Sequence, residues 1–373
     1  MKKLLTITAL LLTVSLLAGC GGQKAITNKQ TYRIGAIFPL TGGEASFGEY
    51  MKNGAEMALE EINKEYDFNL EIVYEDTQGQ PANTVSAVRE LIDIQKVKLL
   101  VGPARSNCTL AAAPIVEGKK VVMLTPIASA EEITKSGDYI FRNREMADSH
   151  GVAMAKFLYE DLGKRRTAVL FANAANAITY KNWFEEEFQR LGGEIVYSEG
   201  YIGDNLDFKT PVAKIKATNP DTIYLSATQL TDMAQAIKQI RDMDIDVTIA
   251  TTALAENSEL IEVLGQQAEG LIYSAPYFNL EDEQTAKYAK KFRDKYGKDS
   301  NLFAANTYDA LHIYAMLINK CGGDKPECIK NELYKVKDYP GVGGPTTFDE
   351  NGDVDKPIMI KIVKDGQFVK YEE

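Results

Sequence analysis

Short β-branched, apolar runs alternate along this chain with longer stretches in which apolar residues recur every three or four positions. The runs predict strands at Tyr32–Phe38, Leu70–Tyr74, Leu99–Val101 and Val121–Leu124. A second series follows at Ala168–Phe171, Ile195–Ser198, Thr222–Leu225 and Val247–Ile249. Between strands, Met51, Ala55, Leu59 and Ile62 share one helical face, as do Met233, Ile237 and Ile240. Strand, crossover helix and next strand predict α/β lobes with parallel sheets covered on both faces. A break near Arg142–Ser149 separates the two series and predicts two doubly wound lobes. The tail reads as helices at Tyr288–Tyr296 and Tyr308–Lys320, then β structure at Thr346–Phe348, Pro357–Val363 and Gln367–Tyr371. Turn signals lie at Asp349–Gly352 and Lys364–Gly366. Helices returning to one lobe and strands to the other make the chain cross more than once, which is a hinge rather than a loose linker.

The N-terminus sets the compartment. Lys2 and Lys3 precede an apolar run from Leu4 to Ala18 that is too short to span a bilayer comfortably, so residues 1–19 read as a signal peptide. Leu17-Ala18-Gly19-Cys20 resembles a bacterial lipobox, in which the cysteine is acylated and the chain cut before it; an ordinary signal peptide with an incidental cysteine is the alternative. The polar residues 20–31 then form a flexible tether, and the protein sits at the outer face of the cell membrane. Losing Lys2 and Lys3 from 42 basic residues leaves 40 against 53 acidic ones, a formal charge of −13. That balance excludes a nucleic-acid partner, which needs clustered positive charge. Cys321 and Cys328 flank a short Gly/Pro-rich loop outside the reducing cytoplasm, which predicts a disulfide. Zinc is the rival reading, but two cysteines without neighbouring histidines are too few ligands, and no metal is expected. Cys108 reads as a small buried apolar residue.

Catalytic motifs are absent from the sequence: there is no G-x-S-x-G, H-E-x-x-H or G-x-x-x-x-G-K-[ST]. The two histidines stand alone, His150 as a solvated or capping residue and His312 as a packed one. Acidic runs such as Glu185–Glu187 read as solvated helix faces. The chain is therefore expected to be no enzyme and to use no cofactor. Polar loops at strand ends stand out instead, because open α/β sheets bind ligands beyond the carboxyl ends of their strands. Pro39–Gly42 leads to Phe47-Gly48, Gly102–Thr109 contains Arg105 and Ser106, and Thr125–Ser129 contains Ile127. Ser106 and Ser129 also suit plain helix caps, but their pairing at successive strand ends points to a site for a carboxylate or another polar acceptor.

An ordered series of residues resembles the bacterial branched-chain amino-acid-binding proteins, type I periplasmic binding proteins of ABC importers. It runs through Pro39-Leu40-Thr41-Gly42, Gly48, Gly54-Ala55, Asn63, Asp76, Pro81, Gly102 and Thr125-Pro126. It continues through Phe184–Phe188, Leu191-Gly192-Gly193, Asp207-Phe208, Ala268-Glu269-Gly270 and Tyr308–Leu311, and so covers essentially the whole mature chain. The resemblance implies two lobes joined by three hinge crossings: 32–146 with 276–341 as the N-terminal lobe, and 147–275 with 342–373 as the C-terminal lobe. It implies that Ser106 and Ser129 hold the ligand's polar head, with main chain from Ile127, and that Phe47 lies against the ligand. In the second lobe the pattern changes. Asn176 stands in place of the usual aromatic, Thr228 in place of the next, and Ala253 where an acidic residue normally meets the ligand's ammonium. Unless Asp232 or Glu256 substitutes, a carboxylate without an ammonium or a neutral polar solute suits the site better than an amino acid, because a buried ammonium needs a partner. Arg105 is a further candidate anion contact. The function implied is a monomeric, membrane-anchored lipoprotein that delivers a small polar solute to an ABC permease. A ligand-sensing receptor of the same fold, acting on a signalling partner, is the alternative.

Overall fold

The two strand series form separate sheets in the computed structural model of the protein, which describes residues 29–202, 207–245 and 247–372. The first sheet comprises β1 (Gln30–Phe38), β2 (Phe68–Asp76), β3 (Leu99–Val101), β4 (Val122–Thr125) and β5 (Ile140–Arg142). All are parallel, in the order β2-β1-β3-β4-β5. The second series is β6 (Arg166–Ala172), β7 (Glu194–Tyr201), β8 (Thr222–Ser226), β9 (Thr248–Thr251) and β10 (Ile272–Pro276). A small hairpin, β11 (Tyr339–Gly341) and β12 (Gly344–Thr346), stands apart. The last strands, β13 (Ile358–Lys364) and β14 (Gln367–Lys370), extend the second sheet to the order β14-β13-β10-β9-β8-β6-β7. They pair antiparallel, so this sheet is mixed rather than wholly parallel. Every residue of β4 and β8 is buried, as expected of strands covered on both faces. The β13–β14 turn is Asp365-Gly366, both at positive φ (52° and 69°), the conformation for which that dipeptide is suited.

Helices α1 (Ala45–Glu65), α2 (Pro81–Arg89) and α3 (Ser106–Lys119) belong to the first lobe. The second lobe carries α4 (Ala147–Lys156), α5 (Ala175–Arg190), α6 (Lys209–Ala217), α7 (Leu230–Asp242) and α8 (Ser258–Leu264). The chain then returns, through α9 (Glu283–Tyr296), α10 (Leu302–Cys321) and α11 (Pro326–Leu333), to the first lobe. Helix α10 enters the first core, where the Tyr314 hydroxyl donates to the Leu100 carbonyl at 2.8 Å. Gly54 makes the α1–α10 contact possible, since a Cβ there would lie 2.2 Å from the Ala304 carbonyl oxygen.

Two boundaries differ from the sequence reading. Residues 342–354, expected with the C-terminal lobe, pack on the first: Phe348 and Val354 lie in its core and bridge to each other. The third crossing therefore follows residue 354. The tether also ends sooner, because β1 starts at Gln30 and the Lys29 ammonium donates to the carbonyls of Asn63 (2.9 Å) and Tyr66 (2.7 Å). The signal peptide, Cys20 and the tether to residue 28 lie outside the described residues. Among the described residues no helix is long and apolar enough to cross a membrane.

Candidate functional site

The loop after β1 is held by Asp76 at the end of β2. Its carboxylate accepts the N–H groups of Leu40 (2.8 Å), Thr41 (3.2 Å) and Gln78 (2.9 Å) and the Thr41 hydroxyl. Burial would raise its pKa, but these bonds outweigh burial and hold it below the usual carboxylate range. A Cβ on Gly48 would sit 2.0 Å from the Pro39 carbonyl oxygen, so only glycine lets α1 begin against this loop. That start presents Phe47, which is 40% exposed and stacks on Phe303 of α10 with ring centroids 4.6 Å apart.

The other N-lobe candidates form a connected patch. The Ser106 hydroxyl oxygen accepts the N–H groups of Ser129 (3.3 Å) and Ala130 (3.2 Å), joining the loops after β3 and β4. Ser106 is the first residue of α3, whose N-cap position is taken by Arg105. Ile127 is buried, and its carbonyl accepts a hydrogen bond from Nη1 of Arg144 at 3.3 Å. Arg105 is paired with Glu44 at the surface, so its charge already has a partner there.

A cleft of about 670 Å³ lies between the sheets. It brings together Phe47 from the first lobe and Asn176, Thr228 and Ala253 from the second, whereas Ser106, Ile127, Ser129 and Arg105 are not on its lining. The lining also includes Arg144, Tyr180, Phe303 and Lys361, which the sequence reading passed over, and Lys361 is ion-paired there with Glu256. Arg144 is 14% exposed and donates from Nε to Glu145 at 3.3 Å as well as to Ile127. Burial pushes the Tyr180 phenol above its ordinary pKa, with the Arg144 charge partly offsetting this. Of the two acids considered as ammonium partners, Glu256 reaches the cleft but is paired with Lys361. Asp232 does not line it. It is buried, caps α7 by accepting the N–H groups of Gln229 (3.1 Å) and Met233 (2.8 Å), and accepts the Tyr201 hydroxyl at 2.9 Å.

Behind the cleft, buried polar groups tie the crossings together. His150 is not solvated: it is 1% exposed, with its ring nitrogens 3.2 Å from the Ser274 hydroxyl and 3.1 Å from Glu145. Burial alone would raise the Glu145 pKa, but His150, Arg144 and Lys356 outweigh it and hold the carboxyl low. Lys356 donates to the Asn306 side chain (3.2 Å) and the Gly343 carbonyl (3.1 Å). Asp309 accepts the N–H groups of Val342 and Gly343, each at 2.8 Å, while burial pushes its pKa up to about 6. Arg142 and Asp353 form a buried ion pair, and Asn143 donates to the Asn306 carbonyl at 3.1 Å. The first and third crossings thus share one hydrogen-bonded register, because leaving any of these buried groups unpaired is costly.

Cys321 and Cys328 are joined in a disulfide between α10 and α11, and Cys108 is free and buried. Among the described residues no group of three or more histidines, cysteines or carboxylates could hold a metal ion.

A family model for periplasmic binding proteins matches residues 31–367. The leucine-, isoleucine-, valine-, threonine- and alanine-binding protein of Pseudomonas aeruginosa is 27% identical over 328 residues, 87% of each chain. A crystal structure of a leucine-binding protein from Thermotoga maritima superposes with a TM-score of 0.80 at 29% identity, covering 91% of this chain and 98% of that one. The branched-chain amino acid transporter substrate-binding protein of Streptococcus pneumoniae, solved with isoleucine, gives a TM-score of 0.79 at 25% identity, with 92% and 100% covered.

Proposed function

The chain belongs to the periplasmic binding protein family, a solute-binding and non-enzymatic family, and from that premise we propose what it binds and how. It is an extracytoplasmic lipoprotein, acylated at Cys20, that encloses a small polar solute and presents the closed form to an ABC importer. The solute is an amino acid or a related small carboxylate or amide. One observation carries this reading: a cleft is lined from both lobes, so an occupant gains contacts that exist only when the lobes approach. The amino-acid-binding names of the relatives support the solute class. The moving bodies are 32–146 with 276–354 and 147–275 with 355–373. Phe47 lies against the ligand's body, Asn176, Thr228 and Ala253 meet it from the second lobe, and Ser106, Ser129 and Ile127 reach its polar head on closure.

A thermal-shift screen of amino acids, short carboxylates, aromatic acids and small amides tests the proposal. A ligand that binds only the folded protein stabilises it by about 2.7 kcal/mol at a hundredfold excess over Kd. At least one clear upward shift is expected. No shift with any compound contradicts the reading.

A further inference from the structure

We infer that the cleft is built for a small organic carboxylate without a free ammonium group, anchored by Arg144; this deepens the solute-binding reading and rests on it. The anchor lies just beyond β5, where the chain first leaves the N-terminal lobe. Its guanidinium is fixed from behind, by Nε on Glu145 and Nη1 on the Ile127 carbonyl. Among the described residues Nη2 makes no hydrogen bond, although Arg144 lines the cleft. A planar fork already held in place loses little freedom when it meets a carboxylate. Tyr180 lines the same cleft from α5 in the other lobe, and its hydroxyl also makes no hydrogen bond among the described residues. Two residues from two lobes, each with a donor not used in hydrogen bonds, thus line one space, and a carboxylate offers two acceptor oxygens.

No acid on the lining is free for an ammonium. Glu256 is paired with Lys361, Asp232 is used as a helix cap away from the cleft, and Glu145 is buried behind Arg144. A zwitterion must either place its ammonium on Glu256 beside the like charge of Lys361 or bury it unpaired, and both are unfavourable. A simple carboxylate avoids both. Its apolar body then meets the stacked rings of Phe47 and Phe303.

Calorimetric titration of the purified full-length protein with matched probes decides this. One set is L-leucine, 4-methylpentanoate and 4-methylpentanamide; the other is L-phenylalanine, 3-phenylpropanoate and 3-phenylpropanamide. The inference expects a carboxylate to bind about tenfold or more tightly than its amino acid and its amide. Arg144→Gln should weaken that carboxylate by about tenfold or more, as expected for loss of a charged hydrogen bond. Arg144→Lys, which keeps a charge beside Glu145 but not the fork, should recover only part of the affinity. If Arg144→Gln does not fold, Arg144→Lys and the selectivity of the wild type decide. Tighter binding of an amino acid or amide, or carboxylate affinity unchanged in the variants, overturns the inference and leaves the solute-binding reading intact. No binding by any probe, together with an empty thermal-shift screen, overturns both.

Discussion

Phe47 and Ser106 show how differently two residues of one expected site are used. Phe47 stacks on Phe303 while remaining 40% exposed, so its contribution to the unliganded fold is small. Phe47→Ala should therefore weaken ligand binding by about tenfold, through lost stacking and burial, with little change in the unliganded melting temperature. Unchanged affinity by calorimetry would remove Phe47 from the site. Ser106 already bonds two backbone N–H groups of the β4 loop. Ser106→Ala leaves both unpaired and should cost roughly 1 kcal/mol, a fall of about 2 °C in the unliganded melting temperature. An unchanged melting temperature would show that this bridge does not hold the loops. The family resemblance made Phe47 a candidate from the sequence, and it does line the cleft. Arg144 was not, since a lone arginine carries no motif and acquires meaning only when the Ile127 carbonyl and Glu145 fix it beside the cleft.

Helix α10 carries a pH dependence at the scale of a single element. His312, on its way through this largely buried helix, has its pKa pushed down by burial to about 4 from 6.5, with nearby Glu61 opposing. The unfolded chain therefore binds the proton more readily than the folded one between those values. Stability from this histidine is complete above pH 6.5 and is lost as pH falls through about 4, by up to about 3 kcal/mol. His312→Gln should flatten the corresponding part of the urea-unfolding profile between pH 6.5 and 4. An identical slope in the variant would contradict this assignment. Asp309, raised to about 6, pulls the opposite way in the same window, so the difference between wild type and variant is the informative quantity. The long β-branched runs and helical faces were legible as elements because one residue class repeats along them. β5 was not: it has three residues and ends in Arg142, whose charge is satisfied only by Asp353 from a distant segment. β10 likewise places Ser274 in a buried strand, a position made tolerable by its contact with His150. Residues 342–354 have no periodicity to reveal which lobe they join, and Phe348 settles it by packing into the first core.

At the scale of the molecule, two sheets face one cleft, and the chain passes between them three times among the described residues. Buried groups on the first and third crossings, Asn143, Glu145 and Lys356, fix the register of the hinge while the lobes remain separately packed. Such a hinge favours one coordinated closing motion over independent wobble of two domains. The two-lobe plan was legible because each lobe repeats the strand–helix alternation on its own. The cleft's second wall was legible by position at Asn176, Thr228 and Ala253, although these residues depart from the family pattern; Tyr180 and Lys361 were not, because they reach the cleft only through the placement of α5 and β13. Hydrogen exchange with and without the best ligand of the screen tests the central claim most directly. Ligand should slow exchange simultaneously in peptides spanning 41–50 of the first lobe and 226–230 and 252–257 of the second. Protection confined to one lobe, or absent from both, would contradict a solute enclosed between them.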